Sequence, residues 1–461
     1  MFKGKLGGSK KVFRPPARHG YYFTYAKGEF TIRGDRMFRF LLPLMFLTSV
    51  AAEPAKRTPA PPPPEGFPKF EVEEIDSGLK IGYAVIAADV DGDKKPDIVV
   101  VDQLQIVWYQ NPTWKKRIIL DGKTKPDNVC ITAMDIDGDG LPEFVVGAGW
   151  KPFDTKTPGT LQWLKRGKTL DEEWSMHAIP CDEPTVHRIR AIDLDGDGKP
   201  ELVSVPLMGR EATKDKNWMN GRPVRITMYK VPTKEPEKPE SWKAEVLNED
   251  LHVVHNFAAF TPLGATSPMS IMTASYEGYS AIILGKNGNK HQLSNTHPAN
   301  QANPNGSRGA SEIRYGFSKM EANSLDRAAG VIVGTVEPWH GNEIVAYTGQ
   351  TAAKPNRTVV DDHLRWGHAI NFADLNGDGS DLMIAGVRDN PTKDDTFTEK
   401  RGVRLYRHYP KTKKWERYIL EDGGVAVEDL TVADHNGDGK PDIVAVGRAT
   451  GNARIYWNMG K

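Results

Sequence analysis

Short apolar runs rich in Val and Ile recur along the chain, and acidic, glycine-containing stretches separate them. One phrase appears five times: DVDGDKKPDIVVV from Asp89, DIDGDGLPEFVVG from Asp135, DLDGDGKPELVSV from Asp193, DLNGDGSDLMIAG from Asp374 and DHNGDGKPDIVAV from Asp434. An alternating apolar segment precedes each copy and a β-branched run follows it. That pattern predicts strand, loop, strand. A unit of this kind cannot bury both faces alone, so its repetition predicts an architecture of stacked repeats.

Successive loops start 46, 58, 181 and 60 residues apart. The long interval holds three repeats of about 60 residues, so two units between Asp193 and Asp374 have lost their acids. Leu251–Phe260 with Ser270–Leu284, and Gly309–Phe317 with Gly330–Gly349, keep the strand–turn–strand pattern. The reading is all-β: a seven-bladed β-propeller of four-stranded blades over residues 68–461. Trp-led segments at Trp114–Leu120, Trp174–Pro180, Trp242–Leu247 and Trp415–Leu420 read as outer strands. The last repeat stops at Arg454–Lys461, one strand short, and Phe67–Ile75 is spare. We expect that segment to complete the last blade and close the ring, leaving no exposed edge.

The loops carry chemistry of their own. Oxygen side chains at positions 1, 3 and 5, a carbonyl at 7 and an acid at 9 converge on a hard cation, and calcium takes such all-oxygen sets. The expected ligands are Asp89, Asp91, Asp93 and Asp97; Asp135, Asp137, Asp139 and Glu143; Asp193, Asp195, Asp197 and Glu201; and Asp434, Asn436, Asp438 and Asp442. The fifth loop offers Asp374, Asn376 and Asp378, but Leu382 stands at position 9 and Asp381 comes one place early. Strands rather than helices flank the loops, so these are not EF-hands. The expected role of the ions is structural.

The repeat also aligns positions. Six residues before each loop stand Tyr83, Val129, His187, His368 and Glu428, and the two loop-less units offer His255 and Glu312 at matching strand starts. These positions fall at one mouth of the central channel. His187, His255 and His368 are candidate ligands for zinc or another divalent transition metal with an open position. Such an ion polarises a carbonyl. His340, Glu312 and Glu428 are the candidates for moving the adjacent proton. Trp339, His340 and Asn342 lie in a tight turn, where Trp339 would stack on a sugar and Asn342 would bind a hydroxyl. Arg188 and Arg190 flank His187 and suit an anionic or carbonyl oxygen. The bland alternative is a ring of polar residues that bond one another and trapped water.

Composition adds context. At 39% hydrophobic and 26% charged, the chain has the balance of a folded domain. Its net charge of +1 and the absence of a basic, aromatic-interleaved stripe speak against nucleic acid. A basic start at Met37, an apolar run from Phe40 to Val50 and a small-residue site at Ala52 read as an export signal. Pro43 and the short run argue against a membrane anchor. Residues 1–52 are thus read as a misassigned extension plus a signal peptide starting at Met37. The expected location is periplasmic or extracellular, with no membrane attachment after cleavage. Beyond Ala52 the chain has 51 basic and 58 acidic residues, a net of −7 that bound cations would offset. Residues 53–67 read as an extended, structureless Pro-rich spacer. Leu284–Gly309 reads as a polar insertion over one face. Two cysteines, Cys130 and Cys181, leave one bridge or two thiols open. Nucleotide-binding glycine loops, G-x-S-x-G and HExxH are absent.

The repeat resembles the FG-GAP/VCBS family of propellers over nearly all of 68–461. Thr185–Gly198, Val336–Thr348 and Gly424–Thr450 are similar to the propeller domain of fungal aldos-2-ulose dehydratase and its bacterial propeller-only relatives. That resemblance implies a carbon–oxygen lyase that eliminates water from a keto-sugar. The family enzyme's later tautomerisation belongs to cupin domains, for which the propeller leaves no room in these residues. A small sugar or glycan is the expected partner. A non-catalytic propeller that binds glycans or proteins is the alternative.

Overall fold

A computed structural model describes residues 56–260, 270–282, 290–292, 307–319, 330–349, 355–364, 366–388 and 401–461. The expected signal segment and most of Leu284–Gly309 lie outside them. No described helix is long and apolar enough to cross a membrane.

The described strands form seven antiparallel sheets, six of four strands and one of five. Each sheet is a meander in chain order, and neighbouring blades meet through their first strands: Ala84–Ala88, Cys130–Met134, Val186–Ile192, Asn256–Phe260, Glu312–Phe317, Gly367–Ala373 and Val427–Ala433. These seven line the axis. The second strands Asp97–Val101, Glu143–Ala148, Glu201–Pro206, Leu382–Val387 and Asp442–Gly447 are buried at every position. Adjacent blades cover both of their faces, which is why they read as unbroken apolar runs. The outer strands are more exposed; Lys115–Asp121 exposes its lysines and buries Ile119 and Leu120. All four Trp-led segments are outer strands.

Blade contact is tight. A Cβ at Gly147 would sit 2.5 Å from Cys130 Sγ and 2.8 Å from Val186 Cγ1, so only glycine lets the third blade close on the second. Trp108, Trp163 and Trp457 are essentially fully buried, each contributing roughly 2–3 kcal/mol by area.

The seventh sheet takes its outer strand from the other end of the chain. Lys69–Asp76 pairs with Ala453–Gly460, Val72 opposite Tyr456 and Glu71 opposite Trp457. Trp457 Nε1 donates to Glu73 at 2.8 Å.

The spacer reading of residues 53–67 needs correction. Thr58 and Pro59 pair with Val72 and Glu71 as a fifth strand. The Arg57 guanidinium lies 4.0 Å from the Trp457 ring centre and 3.3 Å from Glu73 Oε2. Tyr418 OH donates to the Pro61 carbonyl, and Phe67 is buried edge-on to Tyr418. Proline removes donors but leaves carbonyls. A Pro-rich segment therefore works as a strap wherever flanking side chains such as Arg57 and Phe67 anchor it. The two cysteines are free thiols. Burial pushes Cys130 up to about 12 and Cys181 to about 11, so neither is a ready nucleophile.

Candidate functional site at the channel mouth

The strand that precedes each acidic loop starts at the opposite end of the propeller from that loop. His187 and Asp193 are six residues apart, about 20 Å along a strand. The acidic loops and the channel mouth thus occupy opposite faces.

On the loop face, each first aspartate organises its own turn. Asp89 accepts from Gly92 and Lys94, and Asp135 from Gly138 and Gly140; Asp193 and Asp434 repeat the pattern. The ninth-position acids Asp97, Glu143, Glu201 and Asp442 are buried and accept the amide of the second loop residue. Burial pushes Asp97 and Glu143 to about 7 and Asp442 to about 6, with neighbouring carboxylates adding to the rise. Asp89, Asp91 and Asp97 bring oxygens within 4.8 Å of one another, as do Asp135, Asp137 and Glu143, and Asp193, Asp195 and Asp197. Buried acids that repel one another are the setting a divalent cation fits. The Asp374 loop differs. Arg407 holds Asp378 at 2.8 Å, and Asp381 accepts the Phe317 amide at 2.8 Å, so an arginine and a neighbouring blade use the acids.

At the other end, His187, His255 and His368 begin or immediately precede the inner strands of blades three, four and six, and all three are buried. They share one arrangement. Nδ1 of His187 donates to the His255 carbonyl at 3.1 Å, and Nδ1 of His255 to the Ser311 carbonyl at 3.0 Å. His368 Nδ1 donates to the Glu428 carbonyl. A carbonyl only accepts, so the proton sits on Nδ1 and each Nε2 keeps a lone pair. The rings of His187 and His255 lie 4.6 Å apart, and those of His255 and His368 5.2 Å. Burial drives all three toward the neutral form, helped by the positive charge of Arg188 and Arg388.

His340 joins them from the turn between the second and third strands of blade five. Its backbone is left-handed at φ 51°, and a Cβ on Gly341 would meet the Glu337 carbonyl at 2.3 Å. Glu337, fully buried, braces the turn: it accepts from Thr335, Tyr347 and, at 2.7 Å, Arg357. Glu337→Ala leaves these donors facing a void. We expect a loss of about 3 kcal/mol, read as a lower urea midpoint at unchanged slope; an unchanged midpoint would show that the brace is dispensable.

His340 Nδ1 accepts from Arg388 Nη2 at 2.9 Å, which puts its proton on Nε2, 2.7 Å from His255 Nε2. Proximity and tautomer therefore group the imidazoles differently. By distance, His255, His340 and His368 bring nitrogens within 4.8 Å of one another. By tautomer, His187, His255 and His368 offer lone pairs while His340 offers a proton.

The other expected residues fall into place around this group. Glu312 Oε1 lies 3.0 Å from His255 Nδ1, and Asn256 also binds the carboxylate. Although burial opposes it, the His255 contact and nearby positive charge hold Glu312 down to about 2. Glu428 is clamped between Arg388 at 2.7 Å and Arg448 at 2.8 Å. These arginines outweigh its burial and hold it below the usual carboxylate range. Both acids are thus ionised anchors with little basicity. Arg190 donates to the Phe257 carbonyl and Asn256 Oδ1, stitching blade three to blade four. Asn342 Nδ2 donates to the Asp362 carbonyl at 3.0 Å. Trp339 stacks on His340 at 4.1 Å and 7°, so the imidazole occupies one face of the indole. Arg188 contacts only its neighbour His187, through the carbonyl at 3.2 Å and Nε2 at 3.5 Å.

The sequence reading missed Arg388, Arg448, Trp150 and Trp366. Trp150 packs 4.9 Å from His187, and Trp366 6.0 Å from His340. A signal for the arginines was present: each stands 14 residues after its loop's first aspartate, in AGVR and AVGR. The second strand runs antiparallel to the first, so a residue just past its end returns to the channel mouth.

Seven antiparallel blades around an axis lined by first strands, with acidic loops on one face, define a seven-bladed β-propeller. Sequence comparison agrees, since residues 80–146 match the FG-GAP-like repeat. Residues 158–350 match the β-propeller domain of aldos-2-ulose dehydratase. That stretch contains His187, His255, Glu312 and His340. No curated protein sequence matches the chain. Among solved structures, a chain of the mitotic checkpoint complex shares the fold at TM-score 0.51 and 7% identity, covering 92% of this chain and 99% of that one. A calcium structure of Trichoderma reesei carbohydrate-active enzymes family AA12 aligns at TM-score 0.45 and 11% identity, covering 88% and 99%.

Proposed function

We propose that the chain is an exported carbohydrate lyase that eliminates water from a keto-sugar at the channel mouth. The observation that carries this reading is the shared tautomer of His187, His255 and His368: three buried, neutral imidazoles from three blades, each with its Nε2 lone pair free of a proton. Bonding of Nδ1 to a carbonyl is the outer-shell arrangement that orients imidazole ligands. With the His340 N–H turned away from His255 Nε2, these imidazoles could hold a divalent transition ion such as zinc, which would supply Lewis-acid polarisation of a ketone. Kinship with a dehydratase propeller supports the same reaction class.

The chain's own groups have separable tasks. Glu312 and the Ser311 carbonyl keep the His255 proton on Nδ1. Glu428 holds Arg388, and Arg388 keeps the His340 proton on Nε2. His340 could then give that proton to the departing hydroxyl, while the proton on the carbon beside the ketone leaves to solvent at the mouth and solvent restores the imidazole. Trp150, Trp339 and Trp366 exclude water and offer apolar edges to a sugar ring. On the far face, calcium in the loops of Asp89, Asp135, Asp193 and Asp434 would pin each inner strand to the second.

Elemental analysis of the purified protein, before and after a weak chelator, tests both metals. The expected result is calcium that leaves with the chelator, together with a melting temperature lower by several degrees. One transition-metal ion per chain should remain and disappear in His187→Ala/His255→Ala. Calcium alone, unchanged in the double variant, would remove the metal from this site; no elimination from a keto-anhydrosugar by the metal-loaded protein would remove the lyase.

A further inference from the structure

The channel mouth and the layer beneath it carry more positive than negative charge. Among the described residues, the guanidiniums are Arg188, Arg190, Arg314, Arg388 and Arg448, and the carboxylates are Asp127, Glu312, Glu428 and Asp429. Five against four leaves an excess of one, because the four imidazoles are neutral. Glu428 absorbs two of the arginines by itself. Arg190 and Arg314 have neutral acceptors only, sharing the Phe257 carbonyl and Asn256 Oδ1. Arg188 has even less: among the described residues its bonds are to His187 alone, and Asp429, Glu312 and Glu428 act on it from a distance without a direct ion pair.

Burial makes this imbalance costly. A guanidinium is not relieved by losing its proton, and a buried charge without a counter-ion is unfavourable by several kcal/mol. The three arginines feel one another. Burial, and after it Arg314 and Arg188, push Arg190 below its usual range, although Asp429 and Glu312 oppose them. A cation on the imidazoles would enlarge the excess. A neutral sugar leaves it in place, whereas an anionic one cancels it.

We infer that the site takes a sugar bearing a carboxylate, with Arg188 as the group that pairs with it. The inference deepens the lyase reading and rests on it for the sugar. The free partner is a planar guanidinium, which matches a carboxylate edge with two parallel N–H···O bonds. It lies next to His187 Nε2, so the carboxylate would anchor the ring over the imidazole group.

Binding tests this without turnover. Calorimetry on the full chain would compare glucose, glucuronate and glucose 6-phosphate at low and high salt. We expect glucuronate to bind at least tenfold more tightly than glucose, with the gap narrowing as salt screens it. Arg188→Gln should abolish the preference. Arg188→Lys, which keeps the charge, should retain part of it and guards against a folding defect. Equal binding of glucose and glucuronate would overturn the inference. So would glucose 6-phosphate binding more tightly than glucuronate, or a preference that survives in Arg188→Gln. If the metal-loaded protein eliminates water from no keto-sugar while the glucuronate preference depends on Arg188, the lyase reading fails and the anion site stands.

Discussion

His340→Ala should lower kcat for elimination from a keto-anhydrosugar by about 10²–10⁴-fold, the usual contribution of a positioned proton donor, while the transition metal stays bound. The expectation follows from the tautomers. Arg388 donates to His340 Nδ1, so His340 presents a proton, and the lone pairs belong to His187, His255 and His368. His255→Ala should behave differently: it removes a lone pair from the centre of the group, and metal and activity should fall together. Steady-state kinetics paired with metal content separates the two variants. Loss of the metal in His340→Ala would show that the set chosen by distance, His255, His340 and His368, is the ligand set. An unchanged kcat with metal retained would take His340 out of the reaction.

Removing residues 1–76 should stop the protein from folding as a stable monomer. The deletion exposes the whole edge of Ala453–Gly460 and strips Glu73 from the Trp457 indole. It also removes Phe67 and Phe70 from the core beneath blades six and seven. Each buried phenylalanine accounts for roughly 2–3 kcal/mol, and native domains hold only about 5–15 kcal/mol in total. An exposed, hydrophobic edge is also a template for aggregation. Size-exclusion chromatography and thermal melting check this, and adding residues 56–77 as a peptide should restore the monomer. A truncated chain that elutes as a monomer with the parent melting temperature would mean the ring does not depend on this strand.

Much of the fold was legible because the repeat is local. The five acidic loops mark where one strand ends and the next begins, and a propeller meander keeps sequence neighbours adjacent in space. The Trp-led outer strands were legible for the same reason, as period-two segments between turns. Residues 53–67 were misread because composition reports that prolines lack donors but not that Arg57 meets Trp457 across the ends of the chain. At the mouth, counting six residues back from each loop found His187, His368 and Glu428, since a strand has fixed rise and fixed start.

Roles, unlike positions, needed three dimensions. Arg190 and Arg188 are two residues apart on one strand, yet one bonds to the backbone of blade four and the other, among the described residues, only to its neighbour His187. Glu428 looked like a base until Arg388 and Arg448, from two different second strands, were seen to hold it ionised. The sequence by itself determined the seven strand–loop–strand units, the oxygen-rich loops and which residues stand at the start of the inner strands, because all of these depend on spacing along the chain. Only the tertiary structure decided which nitrogen of each imidazole keeps its proton, which acids are anchors and where positive charge goes uncompensated. Those properties are set by groups from other blades, brought within hydrogen-bond reach by closure of the ring.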